Sequence, residues 1–262
     1  MIVYGRNPVR EALRGRRAGN VAQVWATAGV AHEPWLTDVK AKVCAGDELE
    51  RVCGSSAHQG ICAEMGGYPY VGAHELLAVD SPLIVALDQV QDPQNLGSIC
   101  RTAECAGATG VVIPERRAAE VTPAVCKASA GAVEYMRIAR VRNIADFLGE
   151  ARDAGCWSYG ASADDAIDNG REDVPGAGAP APGQSSKSST TVPYTAPDYS
   201  GGVVLVLGSE GSGLRPRVAG ACDQMISLPL RGHMESLGVA AAAAALLYGI
   251  LQSREIGLDK AP

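Results

Sequence analysis

Apolar runs of four to seven residues punctuate the chain, and polar stretches with helical spacing separate them. Residues 83–87, 110–113, 136–141 and 156–161 read as strands, and 96–106, 122–132 and 144–154 as the helices between them. Short apolar strands alternating with helices of about ten residues predict an α/β domain on a mostly parallel sheet. The pattern resumes with strands over 203–207 and 225–228 and a helix from Ser236 to about Gln252.

Ahead of this block, residues 1–75 read as a small mixed α/β domain, leaving 76–262 to the larger one. Asn7 with Pro8 can open a helix through Leu13, because proline suits the first helical turn. Residues 21–26 and 58–64 look like strands, and 33–44 like a second helix. The segment 168–201 breaks the alternation. It is dominated by Gly, Pro, Ser, Thr and Ala, with almost nothing to bury, so a mobile insertion is expected.

Charge and composition narrow the function. Hydrophobic residues make up 47% and charged residues 20%, the balance of a globular protein, and the formal net charge is -6. A net negative chain is poorly suited to coating nucleic acid non-specifically, since neutralising phosphates takes Lys and Arg. A local basic patch survives at the start, where Arg6, Arg10, Arg14 and Arg17 recur at steps of four, four and three. On a continuous helix they share one face. That face is either an RNA contact, with Arg6, Arg10 and Arg14 as candidates, or merely solvated. The eight cysteines show no C-x-x-C spacing and no clustered histidines, so neither a metal site nor a redox pair is expected. Several lie in apolar runs, where a thiol acts as a small hydrophobe. The start lacks the apolar core of a secretory signal, and the Ala-rich run 239–247 is too short to cross a bilayer. Cytoplasm is the expected compartment, with no membrane partner.

Three polar or Gly-rich stretches follow expected strands, where open α/β sheets bind ligands. The first, 88–103, places Asn95 at the mouth of a helix and Arg101 nearly two turns in; singly, these read as an N-cap and a surface partner for Glu104. The second, Gly208-Ser-Glu-Gly-Ser-Gly-Leu214, is dense enough in glycine for close backbone approach. It lacks the Lys of a Walker A loop, and Glu210 would repel phosphate, so a positively charged ligand such as S-adenosylmethionine fits better. The third, 226–240, ends a strand, turns, and opens the last helix near Ser236, which taken alone is only a cap.

In order, N-L-G-x-x-x-R-T-A, L-G-S-E-G-x-G-L and I-x-L-P-L-x-G-x-x-E-S-L resemble the three signature motifs of the SpoU (TrmH-like) family of RNA 2′-O-methyltransferases. YGRNPVREAL and HQGICAE resemble the small substrate-binding domain of its 23S ribosomal RNA guanosine-2′-O-methyltransferases. The resemblance spans nearly the whole chain apart from 168–201. It implies a SPOUT-type trefoil-knotted methyltransferase domain, an exception to the rule of un-knotted chains, which assembles as a homodimer and binds S-adenosylmethionine in the loops of the knot. It puts Asn95, Arg101, Glu210 and Ser236 on active-site positions, and Gly208, Leu228, Leu230, Gly232 and Leu237 around the cofactor. The implied reaction is methyl transfer to a ribose 2′-hydroxyl of RNA.

A ribose hydroxyl is a poor nucleophile at neutral pH, so its proton must be shared as it attacks. In the family the counterpart of Arg101 is the proposed proton acceptor, but a guanidinium stays protonated. Orienting the hydroxyl and stabilising developing oxyanion are easier tasks for it. One departure stands out: the family's third motif usually reads S-L-N, and here Ser236-Leu237 is followed by Gly238. That loss leaves three alternatives open: an active ribosomal RNA methyltransferase, a transfer RNA methyltransferase, or a non-catalytic RNA-binding or ribosome-assembly protein on a degenerate scaffold. A generic nucleotide-binding α/β enzyme finds little support without the Walker lysine.

Overall fold

A computed structural model describes residues 1–163 and 191–258. The N-terminal part runs β1 (Ile2–Tyr4), α1 (Arg6–Ala12), β2 (Val21–Ala26), α2 (Ala28–Ala31), β3 (Ala41–Val43), α3 (Gly46–Cys53) and β4 (Ile61–Met65). Its strands form a sheet in the order β1-β4-β2-β3. β4 pairs antiparallel with β1 and β2, and β3 adds parallel to β2.

After α4 (Ala73–Leu77), the chain builds β5 (Leu83–Asp88), α5 (Pro93–Cys105), β6 (Gly110–Pro114), α6 (Pro123–Ala128), β7 (Ile138–Val141), α7 (Ile144–Asp153) and β8 (Cys156–Ser162). It ends with β9 (Val192–Pro193), β10 (Gly202–Gly208), α8 (Pro216–Ala219), β11 (Gln224–Ser227) and α9 (Val239–Leu258). Among the described residues these strands form a parallel seven-stranded sheet, ordered β7-β6-β5-β10-β8-β11-β9. Buried on both faces, β5 and β10 are apolar almost throughout, as central parallel strands must be. Alternation splits β5 between two layers. Leu83, Val85 and Leu87 pack into the cluster with Leu96 and Ile99 of α5 and Leu246 and Ile250 of α9. Ile84 and Ala86 join Phe147 and Leu148 of α7 and Val218 of α8. The α/β expectation therefore holds, with α5, α6 and α9 on one face and α7 and α8 on the other.

Several local expectations fail, each for a physical reason. Residues 33–44 are not a helix. The Thr37 hydroxyl donates to the Pro34 carbonyl at 2.9 Å, closing a single 3-10 turn over Pro34–Leu36, and residues 41–43 then gain ladder bonds to β2. The helix lies later, at α3, where Asp47 and Glu48 occupy the first turn and Gly54 (φ 68) ends it in the left-handed region. Strand β4 begins at Ile61 rather than 58, because Gln59 and Gly60 turn at φ 56 and 82. The last helix starts at Val239, not Ser236; the Gly238 carbonyl accepts from the amides of Ala241 and Ala242 at 2.9 and 3.0 Å.

The expected insertion falls mostly on 168–190, outside the described residues. Its end, 191–201, is folded: Tyr199 is buried, donates to the Tyr194 carbonyl at 2.6 Å and meets Tyr159 edge-on at 4.9 Å. Arg254 of α9 donates to the carbonyls of Tyr199 and Gly201 at 2.9 and 2.7 Å. Tyr194 and Tyr199 within the segment meet Tyr159 and Arg254 from distant positions, which supplies the burial that composition alone did not reveal.

The four-arginine face is also corrected. Helix α1 stops at Ala12, and Arg17 turns inward with 1% exposure against Glu134. Gly15 allows this turn, since a Cβ there would sit 2.6 Å from the Glu134 Cβ. Arg6 pairs with Glu33 at 3.1 Å and Arg10 with Glu11 at 2.8 Å, leaving Arg14 exposed beyond the helix. All eight cysteines are free, and burial pushes the Cys100 and Cys126 thiols up to about 12, so both stay neutral in the core. Among the described residues no group of His, Cys, Asp and Glu could hold a metal, and no helix is long and apolar enough to cross a membrane.

Candidate active site

The carboxyl ends of β5, β10, β8 and β11 meet at one edge of the sheet, and the motif-bearing loops leave from it. At the first, Asp92 is the N-cap of α5, accepting from the Gln94 amide at 3.0 Å, with Pro93 in the first turn. Asn95 is thus not the cap, and its side chain is free for another partner. Its amide donates to Glu210 Oε1 at 2.9 Å, joining positions 115 residues apart. Gly97 serves packing: a Cβ there would lie 2.4 Å from the Ala128 Cβ of α6.

The Gly-rich loop is closed by reciprocal backbone bonds between Ser209 and Gly213, at 3.1 and 3.0 Å. Its tightness explains Gly208, where a Cβ would come within 2.1–2.4 Å of the backbone of Gly213 and Leu214. Asp88, an unassigned residue in the sequence reading, anchors the far side of the loop. Fully buried at the end of β5, its carboxylate accepts from Arg215 Nε at 2.8 Å, Arg215 Nη2 at 2.6 Å and the Arg215 amide at 3.0 Å. A charged residue closing an apolar strand was the only available sign; its partner 127 positions away was not foreseeable.

Two cavities adjoin at this edge. One, of about 330 Å³, lies outside β8, β10 and β11 and is walled by Leu207, Leu228, Leu230, Leu237 and Val239, with Gly208, Glu210 and Ser236 on its lining. The second, of about 410 Å³, is more polar and lies between Gln89–Asp92, Asn95, Ser209, Glu210 and Ser212. Glu210 lines both. Of the expected positions, Gly208, Leu228, Leu230, Glu210, Ser236 and Leu237 gather on the first cavity and Asn95 on the second, whereas Gly232 lines neither. Arg101 also lines neither: six residues beyond Asn95, it points about 240° round α5. It is exposed, with no hydrogen-bond or ion-pair partner among the described residues, so the pair with Glu104 does not form.

Gly238 is also on the lining of the first cavity. A Cβ there would stand 3.6 Å from Glu210 Oε1, an ordinary contact. A β-carbon is therefore tolerated there, and asparagine is a preferred residue at a helix N-cap. Gly238→Asn is expected to raise the melting temperature slightly and to leave cofactor affinity within about threefold, around 0.6 kcal/mol. A lowered melting temperature would show that position 238 needs glycine.

The chain belongs to the SpoU rRNA methylase family, whose model matches residues 82–248, and residues 2–71 match the substrate-binding domain of RNA 2′-O ribose methyltransferases. It is thus a member of a family of RNA methyltransferases. It is 33% identical over 99% of its length to an uncharacterised tRNA/rRNA methyltransferase of Synechocystis, of which it spans 64%. It is 36% identical to a putative TrmH-family tRNA/rRNA methyltransferase of Bacillus subtilis, over 75% of this chain and 71% of that one. The crystal structure of the SpoU methyltransferase AviRb from Streptomyces viridochromogenes with the cofactor AdoMet superposes with a TM-score of 0.71 at 23% identity, covering 97% of this chain and 90% of that one.

Proposed function

We propose that the protein transfers a methyl group from S-adenosylmethionine to a ribose 2′-hydroxyl of RNA. The Asn95–Glu210 hydrogen bond carries this reading, because it locks the first and second motif loops together between the two cavities. The first cavity suits the cofactor: its volume lies within the usual range for small-molecule sites, Gly208 opens a close backbone approach, and leucines wall it. The Glu210 carboxylate complements a sulfonium and an ammonium. Backbone and side chains of Gly208, Leu228, Leu230 and Leu237 would hold the ligand, which when bound supplies an electrophilic methyl carbon.

The chain's own residues then position the acceptor. The polar second cavity is the place for the ribose, beside the Asn95 amide and Glu210. Holding oxygen, methyl and sulfur in line supplies much of the rate. Arg101 points away from both cavities of its own chain, so it would orient the hydroxyl and stabilise its developing charge from a second copy of the chain, with Ser236 on the lining of the first cavity as a further donor. Such an outward Arg101 suits a site completed in a homodimer, and the knotted threading is part of the same reading. Arg101→Ala is expected to lower methyl transfer by about 10²–10³ while calorimetric cofactor binding is retained; full activity would remove Arg101 from the mechanism.

Ribosomal RNA, with a guanosine of 23S as the acceptor, is favoured over transfer RNA by the small domain at 1–75 ahead of the catalytic unit at 76–262. Cytoplasm is the matching compartment. Gly238 favours one second reading, an RNA-binding protein without activity. Calorimetry with S-adenosylmethionine followed by labelled-methyl transfer to total RNA separates the two: binding without transfer sinks the enzyme and leaves the scaffold.

A further inference from the structure

We propose that the loop between β6 and α6 grips an RNA backbone phosphate through Arg116 and Arg117, beside the cavity assigned to the acceptor ribose. This rests on the RNA-methyltransferase reading and adds the element that holds the substrate strand at the site. The loop leaves the carboxyl end of β6, the strand next to β5 in the sheet. The Ala119 amide donates to the carbonyl of Val90 at 2.9 Å, and Val90 lines the second cavity. Arg117 lies two positions before Ala119, at most about 7 Å of chain. A guanidinium on this loop is therefore within side-chain reach of the cavity's rim.

Composition hides the charge here, since Glu-Arg-Arg-Ala-Ala-Glu is formally neutral. The fold separates the signs. Glu120 pairs with Arg140 at 3.0 Å, and the same guanidinium donates to the Glu115 carbonyl at 3.1 Å and lies 5.3 Å from the Tyr70 ring centroid. Tyr70 in turn accepts from the Val121 amide at 2.9 Å. The base of the loop is thus fixed and one of its acids is compensated. Arg116 and Arg117 are exposed and have no hydrogen-bond or ion-pair partner among the described residues; of the hexapeptide's two acids only Glu115 is unpaired, so the segment carries a net positive charge.

Arg117 also sits at φ 58, in the left-handed region. A non-glycine residue there costs about 1 kcal/mol or more, a strain that tends to persist where a side chain must be aimed. Arginine matches phosphate with paired donors. In a chain of net charge -6, attraction for RNA has to come from such local patches.

The test compares the full chain with R116A/R117A, using a 23S ribosomal RNA transcript. The variant is expected to bind it about tenfold more weakly, 1.4 kcal/mol, with the slope of log affinity against log salt reduced by about 1–2. The KM for RNA should rise, while kcat at saturating RNA and S-adenosylmethionine affinity stay within twofold. R116K/R117K should keep the salt slope and recover part of the affinity. Unchanged affinity and slope would overturn the inference. So would a changed sedimentation coefficient without weaker RNA binding, which would make the loop an interface between copies. A native chain that neither binds the cofactor nor transfers methyl would instead overturn the parent reading. Since affinity and slope are read without turnover, the two failures are distinct.

Discussion

Replacing Arg17 by methionine is expected to lower the free energy of unfolding by about 3–5 kcal/mol. The guanidinium is 1% exposed and the Glu134 carboxylate fully buried, and they meet in two hydrogen bonds, Nε to Oε2 at 2.8 Å and Nη2 to Oε1 at 2.5 Å. Burial opposes the charge on Arg17, but the hydrogen bond and charge of Glu134 outweigh it and raise its pKa. Nη1 reaches the Gly66 carbonyl at 3.4 Å, and the guanidinium lies 5.3 Å from the Tyr68 ring centroid. Methionine keeps most of the volume but strands a carboxylate without a counter-charge, which costs more than the pair ever contributed. Urea unfolding of the purified chain measures it. The double variant R17M/E134L should recover most of the loss, because an apolar pair of similar size can replace a buried ion pair. A single-variant loss under about 1 kcal/mol, the range of a surface pair, would show that Glu134 finds water or another donor. The pair joins the segment after α1 to the turn ahead of β7, so its loss should also loosen the small sheet from the larger one.

Gly208→Ala should weaken S-adenosylmethionine binding by about tenfold to a hundredfold. The added methyl would lie 2.1–2.4 Å from the backbone of Gly213 and Leu214, distances no flexible side chain can relieve. The loop must move off β10, and overpacking of this kind costs about 1–3 kcal/mol. Pulling against it is the Asp88–Arg215 anchor just beyond Leu214, so the loop cannot simply swing aside. Gly232→Ala is the contrast: nothing lies within 4 Å of a Cβ there, and the residue lines neither cavity. It should leave affinity within twofold. Equal affinities for the two variants would mean that close approach at Gly208 does not shape the cofactor site.

Particular residues show where sequence reading succeeds. Leu83–Asp88 and Gly202–Gly208 are apolar because both faces of a central parallel strand are covered, and local composition alone reports that. Asn95 and Glu210 stand out by motif, and they do meet. A local pattern misleads where a residue has competing partners. Residues 41–43 went to a strand because β2 offered its edge. Arg17 fitted a helical period, yet a buried glutamate 117 positions away claimed it. Asp88 carried no motif of its own, and Arg116 and Arg117 were hidden in a neutral hexapeptide.

The alternation of strands and helices from Leu83 onward, and the glycine that a tight loop demands at position 208, were legible in the linear chain. Each depends on the bonding and burial needs of neighbours within a few residues. Tertiary structure decided which charges face water, which are paired, and which loops share a rim. The Arg17–Glu134, Asn95–Glu210 and Asp88–Arg215 contacts join positions more than a hundred apart, brought together only when the sheet orders its strands.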